Sequence, residues 1–360
     1  MPKIWIDIMT PKQVMYFKRL IKILQEKNYE VLVTSRNYYE INHMLDIYKI
    51  DARIVGKHGG RELKGKLLAS LDRAKDLIEI ILKEKPNLLI SLTSDVAARV
   101  AFGLKIPHII TSDTPWAFAV NKLSIPFADK LLVPKPTSYE DWIQFGISPD
   151  NIIFYDAVDA AAWIKYLKPN PNVLKKLKLK KEDIIVVLRP EETYAAYVLE
   201  INFKEPIIFP TIRAILTNFP DAKIVTLPRY EEHKKLFEQH FQDKIIVPEK
   251  PIDVPSLLTF ACLEMGFGGT ITQEAALLGV PAISTFFKTI WCDTYLQGKG
   301  LLYKAKSPED AAEISIKILK NRNTYLKKHK ELARKALKEM EDPIEKLANV
   351  VFNFLMENQI

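Results

Sequence analysis

Short apolar runs alternate with helix-patterned segments from the first residues of the chain, and this alternation restricts its fold more than any other feature. "KIWIDI" is followed after Pro11 by a stretch in which Val14, Phe17, Ile21 and Leu24 recur at helical spacing. "EVLVTS" then reads as a second strand, "YYEINHMLDIYKI" as a second helix, and "NLLISLTS", "HIITSD" and "KLLVP" as further strands. The strand runs are almost continuously apolar, as expected of strands covered on both faces. Such alternation predicts a doubly wound parallel α/β domain over residues 1–165. The lysine-rich, proline-marked "KYLKPNPNVLKKLKLKKED" interrupts the pattern and predicts a linker at 166–182. A second α/β series follows over 183–306 ("IIVVLRP", "AKIVTLPR", "KIIVPEK", "CLEMG"), then helices over 307–360. In the last of these, Ile344, Leu347, Val351 and Phe354 share one face, so the expectation is a docked helix. The C-terminal helices are expected to pack back across the domain interface.

Composition excludes several function classes. With 48% hydrophobic and 27% charged residues, the chain reads as a globular protein. No apolar run is long enough to span a bilayer, and the amino terminus lacks a signal-peptide pattern, so a cytoplasmic location is expected. Cys262 and Cys292 are too few for a disulfide framework. The net charge of +8 does not predict a nucleic-acid partner, because the lysines are interspersed with glutamates, as in "KKHKELARKALKEMED". An anionic membrane surface, met peripherally, is the better match to the excess lysine.

Several motifs fail on inspection. "GRELKGKL" has the glycine and lysine spacing of a phosphate-binding loop, but Leu67 replaces its Ser or Thr. Ile271 stands where a dinucleotide fingerprint needs its third glycine. No Asp-x-Asp occurs, the six histidines are dispersed, and His233 and His240 are expected on a solvated helix face. No metal site and no cofactor are expected.

"MGFGGTITQEAALLGVPAIST" survives. Of only 12 glycines in the chain, Gly266, Gly268 and Gly269 fall within four positions after a strand. Thr270 is expected to cap the helix that follows. Free amides at a helix start attract anions, and glycines admit a diphosphate close to the backbone. Glu274, one turn in, is placed to accept hydrogen bonds from sugar hydroxyls. An ordinary strand–helix turn remains the competing explanation. Arg189 and Arg229, at carboxyl ends of strands, are placed to neutralise a leaving diphosphate, unless they form surface salt bridges.

The glycine turn with Thr270, Glu274, Gly279 and Pro281 resembles the nucleotide-sugar motif in the second domain of glycosyltransferase-B folds and of UDP-N-acetylglucosamine 2-epimerases. The wider text is closer still to one prokaryotic domain-of-unknown-function family of glycosyltransferase-B-like proteins. "IDIMTPKQVMYFKRLI", "VGKHGG", "SDT", "NKLSIPFADKLLVP", "VVLRP", "LPRYEE", "VPEKPIDVPSLL" and "GFGGTITQEAALLGVPAIST" carry that likeness, in order, from residue 4 to 286. The resemblance implies two Rossmann-like domains facing each other across a cleft. It also implies diphosphate binding by Gly268, Gly269 and Thr270, ribose binding by Glu274, and a base lined by Val247 and Pro248. By the same resemblance the substrate is a nucleotide sugar, UDP-linked in first expectation, and the acceptor a glycan or lipid-linked hydroxyl.

The acceptor side departs from the family pattern. Thr10 and Gln13 occupy positions where family members carry histidines, and "DTPW" replaces Asp-Thr-Glu-His. Gln273 stands for the usual arginine. Asp7, His58 and Asp113 are left as candidate catalytic groups, with a structural role the alternative for Asp7 and a plain turn for His58. A metal-independent glycosyltransferase is the leading expectation. A UDP-sugar 2-epimerase or a non-catalytic nucleotide-sugar binder on the same fold are the alternatives.

Overall fold

A computed structural model describes residues 1–60, 62–191, 205–228 and 231–359. It divides into two compact units, Met1–Trp163 with Glu341–Ile360, and Ile164–Met340.

The first unit is built on seven parallel strands: β1 (Lys3–Ile8), β2 (Glu30–Asn37), β3 (Arg53–Lys57), β4 (Leu88–Leu92), β5 (His108–Thr111), β6 (Lys130–Pro134) and β7 (Ile152–Tyr155). Their spatial order is β3-β2-β1-β4-β5-β6-β7. The chain therefore winds outward in both directions from the β1–β4 pair, where Asp7 lies beside Ser91. This is the switch point at which open parallel sheets leave a crevice at the strand carboxyl ends. All five residues of β4 are buried, which explains its unbroken apolar text. The helix Pro11–Glu26 buries Val14, Phe17, Ile21 and Leu24, as its periodicity predicts.

The second unit carries five parallel strands, β8 (Ile185–Leu188), β9 (Lys223–Thr226), β10 (Ala261–Gly266), β11 (Ala282–Ser284) and β12 (Leu302–Lys304), in the order β12-β11-β10-β8-β9. Its switch point is the β8–β10 pair, with Met265 beside Leu188. "KIIVP", expected as a strand, contributes a single bridge from Ile246 to Val225.

The segment 166–182 is less open than its lysines and prolines suggest. It forms the helix Asn172–Lys176 and buries Val173, Leu174, Leu177 and Leu179 within the second unit. The Asn170 amide also donates to Ser256 Oγ at 2.9 Å. The terminal helices divide between the units. Pro308–Lys320 and Arg322–Glu339 belong to the second, while Pro343–Glu357 packs on Pro11–Glu26 in the first. Among the described residues no helix is long and apolar enough to cross a membrane.

Candidate functional site

In the second unit the glycine turn follows β10 directly, at the strand carboxyl end. Gly268 has φ +67°, and a Cβ there would lie 3.0 Å from Phe286 Cβ and 3.1 Å from Ser284 Oγ. That combination requires glycine. The helix Thr270–Leu277 starts one residue earlier than a Thr270 cap would place it. Gly269 is its N-cap, no side chain caps it, and Thr270 is already helical. With no hydroxyl spent on them, the first amides of this helix are left to other acceptors. Glu274 is buried on this helix, at 4% exposure.

Beneath the turn lies a second carboxyl group. Glu264 of β10 is fully buried; Thr272 Oγ1 donates to its Oε1 at 3.2 Å, and its Oε2 has no hydrogen-bond partner among the described residues. Burial pushes its pKa well up, and the nearby charges of Glu274 and Asp293 add to this, which favours the neutral form of Glu264. A Cβ on Gly266 would meet Thr272 Oγ1 at 2.6 Å and Glu264 Oε1 at 2.7 Å, so the turn rests directly on this pair. Ser284 Oγ and Lys304 Nζ both donate to Asp293, at 2.5 and 2.6 Å, closing the strand ends beside Gly268.

Arg189, just beyond β8, donates from Nη1 to the Leu227 carbonyl at 3.0 Å. Arg229 lies outside the described residues. Val247 packs against the second unit's core, and Pro248 is half-buried. His233 is buried instead of solvated. Burial and then the charge of Arg189 lower its pKa to about 4.

In the first unit the three catalytic candidates fall into separate networks. Asp7 is fully buried, and four donor atoms hold its carboxylate. Arg73 Nη2 and Thr34 Oγ1 reach Oδ1 at 2.6 and 2.5 Å; Ser94 Oγ and Arg73 Nη1 reach Oδ2 at 2.5 and 3.2 Å. Arg73 is itself 1% exposed, and its Nε donates to the Val55 carbonyl at 3.0 Å. A carboxylate so engaged ties β1 to β2, to the N-cap of the helix Asp95–Gly103 and to the helix Leu63–Glu84. Both of its oxygens thus accept two hydrogen bonds each from within the fold.

Asp113, two residues past β5, meets groups that sequence reasoning missed. Lys12 Nζ lies 2.5 Å from Asp113 and 2.7 Å from Asp159, which follows β7 and is also bonded by Tyr155 Oη. Burial disfavours the Lys12 ammonium, but the two carboxylates outweigh it and raise its pKa. Burial, followed by repulsion from Asp113, pushes Asp159 up to about 6. Lys12 is thus held as an ammonium between two buried carboxyls, of which Asp159 has its proton affinity raised. Both residues left a trace in the sequence. Lys12 follows Pro11, which opens the first helix, and Asp159 sits in the small apolar run "AVDAAAW". Arg73 left a similar trace, since it recurs with Ala69, Leu77 and Ile81 on one buried helix face.

His58 is exposed. Its Nδ1 accepts from the Gly60 amide at 3.2 Å, and its ring lies 5.0 Å from that of Tyr38. Gln13, at a family histidine position, is consumed locally. Its Nε2 donates to the Leu92 carbonyl at 2.8 Å, and its Oε1 accepts from the Met9 amide at 2.5 Å. Gly65 and Lys66 of the failed phosphate-loop pattern are inside the helix Leu63–Glu84. Among the described residues no group of three or more His, Cys, Asp or Glu side chains is placed to hold a metal ion.

Comparison with known proteins agrees with this architecture. The chain is 33% identical over 290 residues to the uncharacterized protein MJ0665 of Methanocaldococcus jannaschii, covering 79% of this chain and 81% of that one. It is 26% identical over 268 residues to a UDP-N-acetylglucosamine 2-epimerase homolog of Methanococcus maripaludis, covering 67% and 71%. Among solved structures it superposes on the S. aureus MnaA–UDP co-structure with a TM-score of 0.75 at 15% identity, covering 99% of this chain and 97% of that one. At that identity the likeness establishes the glycosyltransferase-B-like fold. Residues 2–356 match the family described as protein of unknown function (DUF354), and the chain is a member of that family.

Proposed function

We propose that the second unit binds a nucleoside-diphosphate sugar, UDP-linked in the first instance, and that the protein transfers the sugar to an acceptor hydroxyl without a metal ion. The observation that carries this reading is the uncapped turn Gly266–Gly269 at the carboxyl end of β10, followed by Glu274 one helical turn in. Gly268, Gly269 and Thr270 take the diphosphate on backbone amides, with the helix dipole behind them. Glu274 accepts from the ribose hydroxyls, Val247 and Pro248 line the base, and Arg189 and Arg229 offset the charge of the leaving diphosphate. Relatives and fold neighbours support the choice of ligand. MnaA was solved with UDP, and the M. maripaludis relative is named for a UDP-sugar reaction.

For the chemical step we assign proton transfer to Asp113 and Asp159, with Lys12 between them, and a positioning role to Asp7. In the forward direction a carboxylate of this pair takes the acceptor proton as the glycosidic bond forms and UDP leaves. The same pair favours a second reading, epimerisation at carbon 2 of a UDP-sugar, because that reaction needs two acid/base groups close together. Incubation with UDP-N-acetylglucosamine alone separates them. A transferase leaves the sugar's configuration unchanged, whereas appearance of the 2-epimer without acceptor establishes the second reading. Binding without turnover under any acceptor tested would reduce the protein to a nucleotide-sugar binder.

A further inference from the structure

At the carboxyl ends of β2 and β3, the basic side chains Arg36 and His58 make no ion pair with an acid among the described residues. Arg36, next to last in β2, is partly buried. Its Nε has no hydrogen-bond partner, and its guanidinium makes no ion pair among the described residues. The guanidinium carbon lies 5.7 Å from the centroid of the Tyr38 ring, which packs in turn on His58. Because His58 Nδ1 accepts from Gly60, the neutral ring carries its proton on Nε2 as a donor. Lys66, exposed on the helix Leu63–Glu84, contributes a further positive charge felt at His58.

The electrostatics agree with the geometry. Although the His58 side chain is exposed, partial desolvation by its neighbours, then Arg36 and Lys66, lower its pKa. Burial, then Arg73, lower that of Arg36, while Tyr38, Asp7 and Asp95, each a smaller influence than Arg73, act in the opposite direction. Asp7 is already committed to Arg73, Thr34 and Ser94. A partly desolvated guanidinium without hydrogen-bond partners is unfavourable on its own, and an anion seated against it removes that cost.

We propose that Arg36, His58 and Lys66 form a binding site for a phosphoryl group carried by the second substrate. The guanidinium supplies paired donors, His58 a single N–H and Lys66 long-range charge, a set suited to a doubly charged phosphate. That the phosphate belongs to an acceptor rests on the transfer reading; the anion site itself does not. The phosphoryl group comes either from a soluble sugar phosphate or from a lipid headgroup, and both present the same chemistry to these residues.

The test uses the full chain with its nucleotide site saturated by UDP, so that added anion reports on the first unit. Inorganic phosphate is titrated by calorimetry into wild type, Arg36→Gln and the exposed-site variant His58→Gln. Arg36→Gln is expected to lower phosphate affinity by about tenfold or more, and His58→Gln by about threefold or more, with UDP affinity unchanged. His58→Gln keeps the test valid should Arg36→Gln fail to fold. Flotation with phosphatidylcholine vesicles containing phosphatidic acid, lost in Arg36→Gln, assigns the phosphate to a lipid; vesicle indifference with phosphate binding intact assigns it to a soluble ligand. Absence of phosphate binding in wild type, or equal affinity in all three proteins, overturns the proposal. Failure of UDP to bind while phosphate still does would remove the nucleotide-sugar reading and leave this site standing.

Discussion

Asp7 shows how one side chain can invite a chemical role in text and a structural one in space. It is an acid inside an apolar strand at a switch point. In the fold Arg73, Thr34 and Ser94 together donate to both of its oxygens, which favours the structural alternative. Removing one partner of such a buried pair leaves a charge with no compensation, a loss of about 3–5 kcal/mol. Arg73→Met should therefore lower the unfolding free energy by an amount in that range, measured by urea denaturation. A midpoint and slope equal to wild type would show that the pair is not what holds β1 to the helix Leu63–Glu84. Much of the second unit's candidate site was legible, since Gly266, Gly268, Gly269 and Glu274 are close in sequence and the turn they make is local. The first unit's buried Lys12–Asp113–Asp159 cluster was not. Lys12, Asp113 and Asp159 come from three strand ends that only the sheet order brings together, so no local pattern marks them as partners.

At the scale of elements, apolar periodicity was the most dependable signal. Ile344, Leu347, Val351 and Phe354 are all buried where Pro343–Glu357 meets Pro11–Glu26. Which unit that helix joins was not readable, because amphipathicity states that a face is covered without stating by what. The answer lies in polar anchors. Asp342 caps the helix, accepting from the Ile344 and Glu345 amides at 2.9 and 3.2 Å, and Arg19 Nη1 donates to it at 2.5 Å. Asp342→Ala removes the cap and leaves Arg19 its bond to Glu345 at 2.6 Å, so it should cost about 1–2 kcal/mol of stability, the worth of the cap. Hydrogen exchange should show faster opening of residues 343–357, and unaltered protection there would contradict the anchoring role. The missing strand at "KIIVP" has a related cause. An edge run with little strand to pair against settles for one bridge to Val225.

For the whole molecule, buried histidines couple stability to pH. His329 is fully buried with Nε2 against Tyr303 Oη at 2.9 Å; burial, followed by the charge of Lys328, lowers its pKa to about 4. His108, buried beside Ser91 Oγ at 2.9 Å, is pushed by burial to about 3. An imidazole titrating near 6.5 when unfolded binds more protons there than in the native state below that pH. Its contribution is therefore complete above about 6.5 and is lost as the pH falls toward the folded value. His329→Gln should cost stability at pH 7 through lost packing, and that deficit should shrink or reverse by about pH 4.5, read from paired urea curves. A deficit independent of pH would show that His329 does not resist protonation in the fold. Asp159 acts in the opposite sense, since its raised pKa favours the folded state at lower pH. This is why the comparison is made between variant and wild type at each pH.

The central claim is that the second unit takes a nucleoside diphosphate on backbone amides and Glu274, without a cation. Its most direct test is a calorimetric titration of UDP into the full chain in excess EDTA, repeated with Glu274→Ala. The account predicts saturable binding by wild type under chelation, weakened in the variant by about 1.5–3 kcal/mol as two charge-assisted ribose hydrogen bonds are lost. Binding that appears only when magnesium or manganese is restored, or equal affinity in the two proteins, would contradict it.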